Sequence, residues 1–116
     1  VCDRAQNRIQ IFTKDGKFVR QLEIDVDTKD NKTGWGSVYD VVQDRQGRYL
    51  YVADGTNNEI KIVDLRSEKI VGVVGRSGRN AGDFHVLHNI AIDSKGNLYT
   101  SEVDNAKRVQ KFQRIK

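Results

Sequence analysis

The chain has 116 residues, 37% of them hydrophobic and 31% charged, with a formal net charge of +4; that length can bury one core without staples, so a single domain is expected. With a mean hydropathy of −0.65 and no apolar run near the roughly 18 residues that a bilayer span needs, a membrane-spanning helix is excluded. The lone cysteine, Cys2, rules out an internal disulfide framework and a cysteine-based zinc cage, and it reads as a buried, inert thiol.

The 20 Lys and Arg residues are scattered among 16 Asp and Glu rather than gathered in blocks, so a nucleic-acid partner is not expected. The first residues lack the basic, apolar and small-residue order of a signal peptide. Asn31-Lys32-Thr33 has the form of a glycosylation acceptor, which carries weight only in a secretory setting. The residues alone assign no compartment.

Short alternating runs rich in Val, Ile and Tyr carry the chain, and they are strand chemistry. In chain order they predict strands over 1–2, 8–12, 18–24, 38–43, 49–53, 59–64, 70–74, 88–92, 98–101 and 108–113. Lys14-Asp15-Gly16, Asp44-Arg45-Gln46-Gly47 and Asp93-Ser94-Lys95-Gly96 each end on Gly where a tight connection wants positive φ. In each, Asp can also bond its own backbone two residues on. These are predicted hairpin turns. A helix could be tried only over Asp64 to Val74, where the β-branched residues and Gly72 favour a turn followed by a strand.

The strands recur. Asp3, Asn7, Ile9 and Ile11 return as Asp54, Asn58, Ile60 and Ile62, each 51 positions later, while Asp44 and Gly47 return as Asp93 and Gly96, 49 positions later. A looser third copy runs from Thr100 to Phe112. Self-similarity at roughly this period means propeller blades or solenoid units. Four strands fall to each unit, giving an incomplete unit over 1–24, a complete one over 37–75 and an incomplete final one over 86–116. On this reading the chain starts inside one unit and stops inside another.

The carriers "VCDRAQNRIQIF", "VADGTNNEIKIV" and "NIAIDSKGNLYTSE" resemble the NHL type of β-propeller blade, over essentially the whole chain. The implied fold is all-β, a partial β-propeller of about two and a half four-stranded antiparallel blades. Within that group, the order of "DRAQNRIQIFTKDGKFVRQ", "EKIVGVVG" and "FHVLHNIAIDSKGNLYTSEVDNAKRVQKF" resembles the C-terminal blades of the peptidyl-hydroxyglycine amidating lyases. That resemblance implies a secreted or periplasmic setting. It also implies a zinc ligand at His88, the His of a Pro-His-Asp step that here reads Leu87-His88-Asn89.

Tyr39 and Asp40 occupy the equivalent step of the middle unit. Tyr39, Asp40, His88 and Asn89 are therefore the candidate ligand-binding residues of the channel mouth, or else hydrogen-bonding groups that pin the inner strands. His88 has a second reading as a metal ligand, for zinc or calcium, in an assembled propeller. Zinc needs three or four protein ligands, and His85, three positions from His88, would point to the opposite face of a continuous strand. Asp3, Asp54, Asn7 and Asn58 are expected to make turn-stabilising Asx contacts. Trp35 is a binding-face aromatic or a packing plug. The tail residues Lys107, Arg108, Lys111, Arg114 and Lys116 alternate with Val109, Phe112 and Ile115, as an edge strand with a solvated face would.

The expected function is a binding or assembly module without catalysis of its own, holding a peptide, small ligand or ion. The alternatives are a piece of a lyase-like metalloenzyme completed by other blades and an RNA-binding propeller. Open sheet edges and uncovered faces make the expected partner either a second copy of the chain, closing a homo-oligomer, or missing blades of a longer chain.

Overall fold

Each of the three Gly turns closes as a hairpin. In the computed structural model, which describes residues 1–24 and 36–115, the N–H of Gly16 bonds the carbonyl of Thr13, Gly47 that of Asp44 and Gly96 that of Asp93, at 3.0 to 3.1 Å. Their φ angles of 90°, 73° and 85° lie in the left-handed region that glycine enters without a Cβ penalty. Asp44 Oδ1 accepts the backbone N–H groups of Arg48 and Tyr49, and Asp93 Oδ1 those of Lys95 and Asn97. The side chain thus does for the turn what a backbone carbonyl would.

Among the described residues ten strands result: β1 (Cys2–Asp3), β2 (Arg8–Phe12), β3 (Phe18–Glu23), β4 (Val38–Gln43), β5 (Tyr49–Asp54), β6 (Glu59–Asp64), β7 (Lys69–Val74), β8 (Leu87–Ile92), β9 (Leu98–Glu102) and β10 (Val109–Phe112). Each matches its predicted span to within a residue at either end. A 3₁₀ turn over Arg4–Gln6 is, among the described residues, the one element the pattern did not announce. Trp35 and the Asn31-Lys32-Thr33 triplet lie outside the described residues.

Among the described residues the ten strands pair antiparallel with neighbours in sequence, and an isolated parallel bridge joins Ser77 and Phe84. The strand pairings give a first sheet β1-β2-β3, a middle sheet β4-β5-β6-β7 and a last sheet β8-β9-β10. The protein is all-β, and among the described residues the three sheets form no closed barrel. The repeat holds in register: Cys2 opposes Ile9 as Ala53 opposes Ile60, and Asp3 opposes Arg8 as Asp54 opposes Glu59.

The sheets stack through two cores, one on each face of the middle sheet. Ile9, Leu22 and Ile24 from the first sheet and its exit pack on Leu50, Val52 and Val63. Ala53 and Ile60, on the opposite face, pack on Phe84, Leu87, Ile90 and Leu98. Strand alternation thus sends Val52 one way and Ala53 the other. Burying side chains such as Ile9 or Ile60 contributes about 1.5–3 kcal/mol each.

Polar groups lock the stack. Asn7 Oδ1 accepts the N–H and the hydroxyl of Ser37 at 2.7 and 2.9 Å, and Asn58 Oδ1 accepts the N–H of Leu87 at 3.2 Å. The two asparagines therefore tie one sheet to the entry of the next sheet's first strand, which corrects the local turn role expected of them. Both sit at positive φ, 52° and 56°, a conformation Asn tolerates well. Asp54 does make the expected turn contact, with the N–H and amide of Asn57, and it also pairs with the buried Lys61. Asp3 pairs instead with Arg8 at 2.9 Å.

The tail departs from a simple solvated edge. Arg108 forms a two-pronged pair with the buried Glu102 and donates to the carbonyls of Arg79, Asn80 and Asp83, fastening the 76–86 loop. Phe112 packs on the second core, whereas Val109 is exposed.

Candidate functional site

The first strands of the middle and last sheets, β4 and β8, run side by side, and β1 lies against β4 on its other flank. Both β4 and β8 carry a bulge at the same repeat position. Register shifts between Val38 and Asp40 and between Leu87 and Asn89 leave Tyr39 and His88 as the extra residues. A bulge re-aims side chains and is common beside binding sites. Here it turns both rings toward each other, 5.6 Å apart and at 88°, edge to face, a geometry that the ring quadrupole favours.

All four predicted site residues meet here. Asp40 is the tie: its Oδ1 accepts the N–H of Val41 at 2.9 Å, and its Oδ2 accepts the N–H of Ile90 at 3.0 Å and the amide of Asn89 at 3.4 Å. It therefore holds β8 against β4. Because Asn89 spends its N–H on a carboxylate, its carbonyl faces His88, whose Nδ1 lies 2.8 Å away. Nδ1 must then carry the proton, and Nε2 is left as the basic nitrogen. A chain from Asp40 through Asn89 to His88 thus sets the tautomer, much as outer groups orient metal-binding imidazoles.

Sequence reasoning missed Arg4. Its guanidinium lies over the Tyr39 ring, 4.8 Å from the centroid, so an exposed cation joins the two aromatics. The 3₁₀ turn is what brings it there. The only available signal was positional: Arg4 follows Asp3 as Gly55 follows Asp54. At Gly55 a Cβ would lie 2.3 Å from the Leu87 carbonyl and 2.7 Å from the Tyr39 ring, so the middle copy needs a glycine where the first has room for arginine.

Cys2 lies close enough to Asp40 to feel its charge. Burial raises its thiol pKa, the nearby Asp40 charge raises it further and the N-terminal amine opposes both. The thiol is protonated near neutral pH and packs against the first core. His85 lies elsewhere, lining a small cavity with Arg79, Asn105 and Arg108. Among the described residues no group of three or more His, Cys, Asp or Glu side chains is placed to hold a metal ion.

A groove of about 710 Å³ between the first and middle sheets, lined by Ile9, Ile11, Val41, Leu50, Arg20 and Arg66 among others, contains none of these residues. It is mostly apolar, whereas the Arg4, Tyr39, His88 and Asn89 cluster presents a cation, two rings and an amide on one surface. The cluster is the better candidate because specificity requires convergent polar groups. No family model matches the chain, and no curated protein matches it either.

Proposed function

We propose that the chain is part of an NHL-type β-propeller and acts as a binding module, its ligand side formed by Arg4, Tyr39, His88 and Asn89. The observation that carries this reading is the pair of equivalent bulges at Tyr39 and His88, which gather side chains from adjacent first strands into one surface. Three face-to-face sheets of antiparallel neighbours, repeated at about 50 residues, support the propeller assignment. Binding is favoured over catalysis because the cluster holds a cation, rings and amides but no nucleophile paired with a base. Cys2 is a protonated thiol.

A ligand with a carboxylate and a flat apolar group fits Arg4 and the two rings. The test is a ¹H–¹⁵N NMR titration with N-acetyl-phenylalanine as the probe. Shifts are expected at Tyr39, His88 and Asn89, and they should weaken at least tenfold in Arg4→Ala and in Tyr39→Ala. Shifts confined to other surfaces, or unchanged in both variants, would remove the cluster from consideration.

A further inference from the structure

The 76–86 loop and the 103–107 loop meet at the end of the last sheet where β8 begins and β9 ends. Between them lies a cavity of about 220 Å³, lined by Gly78, Arg79, His85, Asn105, Ala106 and Arg108. Its walls are pinned to each other through the backbone. The His85 N–H donates to Glu102, and the Val86 carbonyl accepts the Val103 N–H at 3.1 Å. Arg108 spends all five of its N–H groups on Glu102 and on the carbonyls of Arg79, Asn80 and Asp83.

Three lining side chains are left unspent. The Arg79 guanidinium, the His85 imidazole and the Asn105 amide have no hydrogen-bond or ion-pair partner among the described residues. No described carboxylate lines the cavity. Of the acidic groups bonded to its walls, Glu102 is matched by Arg108, and Asp83 pairs with Arg76 and accepts the Asn80 N–H. The cavity therefore keeps the positive charge of Arg79 beside two further groups that can donate a hydrogen bond.

Backbone strain gathers at the same place. Six described residues other than glycine have positive φ, and three of them border this cavity: Val86 at 49°, Asp104 at 58° and Lys107 at 42°. Val86 is the only β-branched residue of the six, which makes its conformation an outlier. At the entry to the middle sheet a left-handed φ of 68° falls on a glycine, Gly36. Strain of this kind persists only where the surroundings over-determine it, and it clusters at ligand clamps. Here the bonds to Glu102 and Val103 hold it, and they keep His85 and Asn105 on opposite walls.

We propose that this cavity binds a small tetrahedral oxoanion, a phosphate ion or the phosphate group of a monoester, held by Arg79, His85 and Asn105. The volume falls below the roughly 300–1,000 Å³ of sites for drug-sized ligands, so the occupant is a small group. Donors on two walls reach several oxygens of a tetrahedral anion, and the planar fork of Arg79 suits two of them. A planar carboxylate would leave one wall unanswered. The site is separate from the Arg4, Tyr39, His88 and Asn89 cluster and does not rest on the binding role proposed for it.

The test is a ¹H–¹⁵N NMR titration with inorganic phosphate, with chloride replacing it at equal ionic strength. Saturable shifts are expected at the Asn105 and Ala106 amides and at the His85 imidazole. Arg79→Ala should weaken binding about tenfold and Asn105→Ala about threefold. Arg79 is exposed, and alanine keeps the carbonyl that Arg108 binds, so the fold is preserved. Lys95→Ala removes the same charge at the Asp93 turn and should leave the affinity unchanged. O-Phosphoserine as a second probe separates the two sources: tighter binding than inorganic phosphate assigns the site to monoesters, and weaker or equal binding assigns it to the free ion.

The absence of saturable shifts, shifts that chloride reproduces, or a loss in Lys95→Ala as large as in Arg79→Ala would overturn the site. Acetate binding as tightly as phosphate would overturn the tetrahedral class.

Discussion

Asn58 and Leu87 are 29 residues apart and belong to different sheets, yet the side-chain carbonyl of one accepts the backbone N–H of the other at 3.2 Å. Asn7 makes a related contact one repeat earlier, to the N–H of Ser37, the residue before Leu87's counterpart Val38. Leu87 is fully buried, so its N–H has no water to turn to if the acceptor is lost.

Asn58→Ala should therefore destabilise the chain by about 3 kcal/mol, combining an unsatisfied buried donor with a left-handed φ that Ala resists. Asn58→Gly should cost about half as much, since it keeps the backbone freedom and loses the acceptor together with the exposed amide contact to the Ser77 hydroxyl. Asn58→Asp should be the mildest. Urea unfolding of the three variants tests the order, and an Ala variant as stable as wild type would mean that the tie contributes nothing.

Asp40 should matter to His88 without touching it. Asp40→Ala removes the acceptor of the Val41 and Ile90 N–H groups and frees the Asn89 amide to rotate, at an expected cost of about 2 kcal/mol. In wild type the imidazole ¹⁵N shifts of His88 should show the Nδ1–H form in excess. In the variant they should move toward the Nε2–H form that predominates for free histidine. Identical shifts in both proteins would break the proposed chain from Asp40 through Asn89.

Thr100 is 2% exposed, and its hydroxyl has no hydrogen-bond partner. It occupies the repeat position of Val52, on the face of the last sheet that meets the second core. Thr100→Val keeps the shape and removes a desolvated polar group, so a gain of about 1 kcal/mol is expected. Thermal unfolding reads it directly, and a loss of stability would show that the hydroxyl is satisfied after all.

Acid sensitivity should come from the last sheet. Glu102 is opposed by its own burial, but Arg108, the His85 N–H and Gln110 outweigh that and hold its pKa below the ordinary value. Asp93 is held at about 2, chiefly by the Asn97 side-chain amide; burial opposes this, and the Asn97 and Lys95 N–H groups and the Tyr99 hydroxyl add to it. A depressed folded pKa stabilises fully above the unfolded value, and that stability fades as pH falls through the folded one.

Stability should thus decline from about pH 4.5 downward as Glu102 protonates, and from about pH 4 toward 2 as Asp93 does. Glu102→Gln and Asp93→Asn should each lower stability at pH 7 and flatten the acid slope. A wild-type melting temperature that holds level from pH 6 to pH 3 would contradict both assignments.

The strands, their three Gly turns and the repeat register were legible in the sequence because each depends on neighbours within a few residues. Alternation of Ile and Val sets the faces of a strand, and Asp followed by Gly sets its turn. The four residues at the equivalent steps of the two units were legible for the same reason: an equal place in a repeat implies an equal place in the fold.

Which face of each strand would be covered was not legible. Ile9, Ile60 and Val109 share one register, and only the stacking of sheets separates the two buried residues from the exposed one. Arg4 reached Tyr39 through a 3₁₀ turn with no periodic signature, and Asn7 and Asn58 spend their carbonyls on a neighbouring sheet rather than on their own turns. Such contacts join residues about 30 positions apart. Their free energy exists only once hydrophobic burial has set the sheets face to face, so the tertiary structure alone decided them.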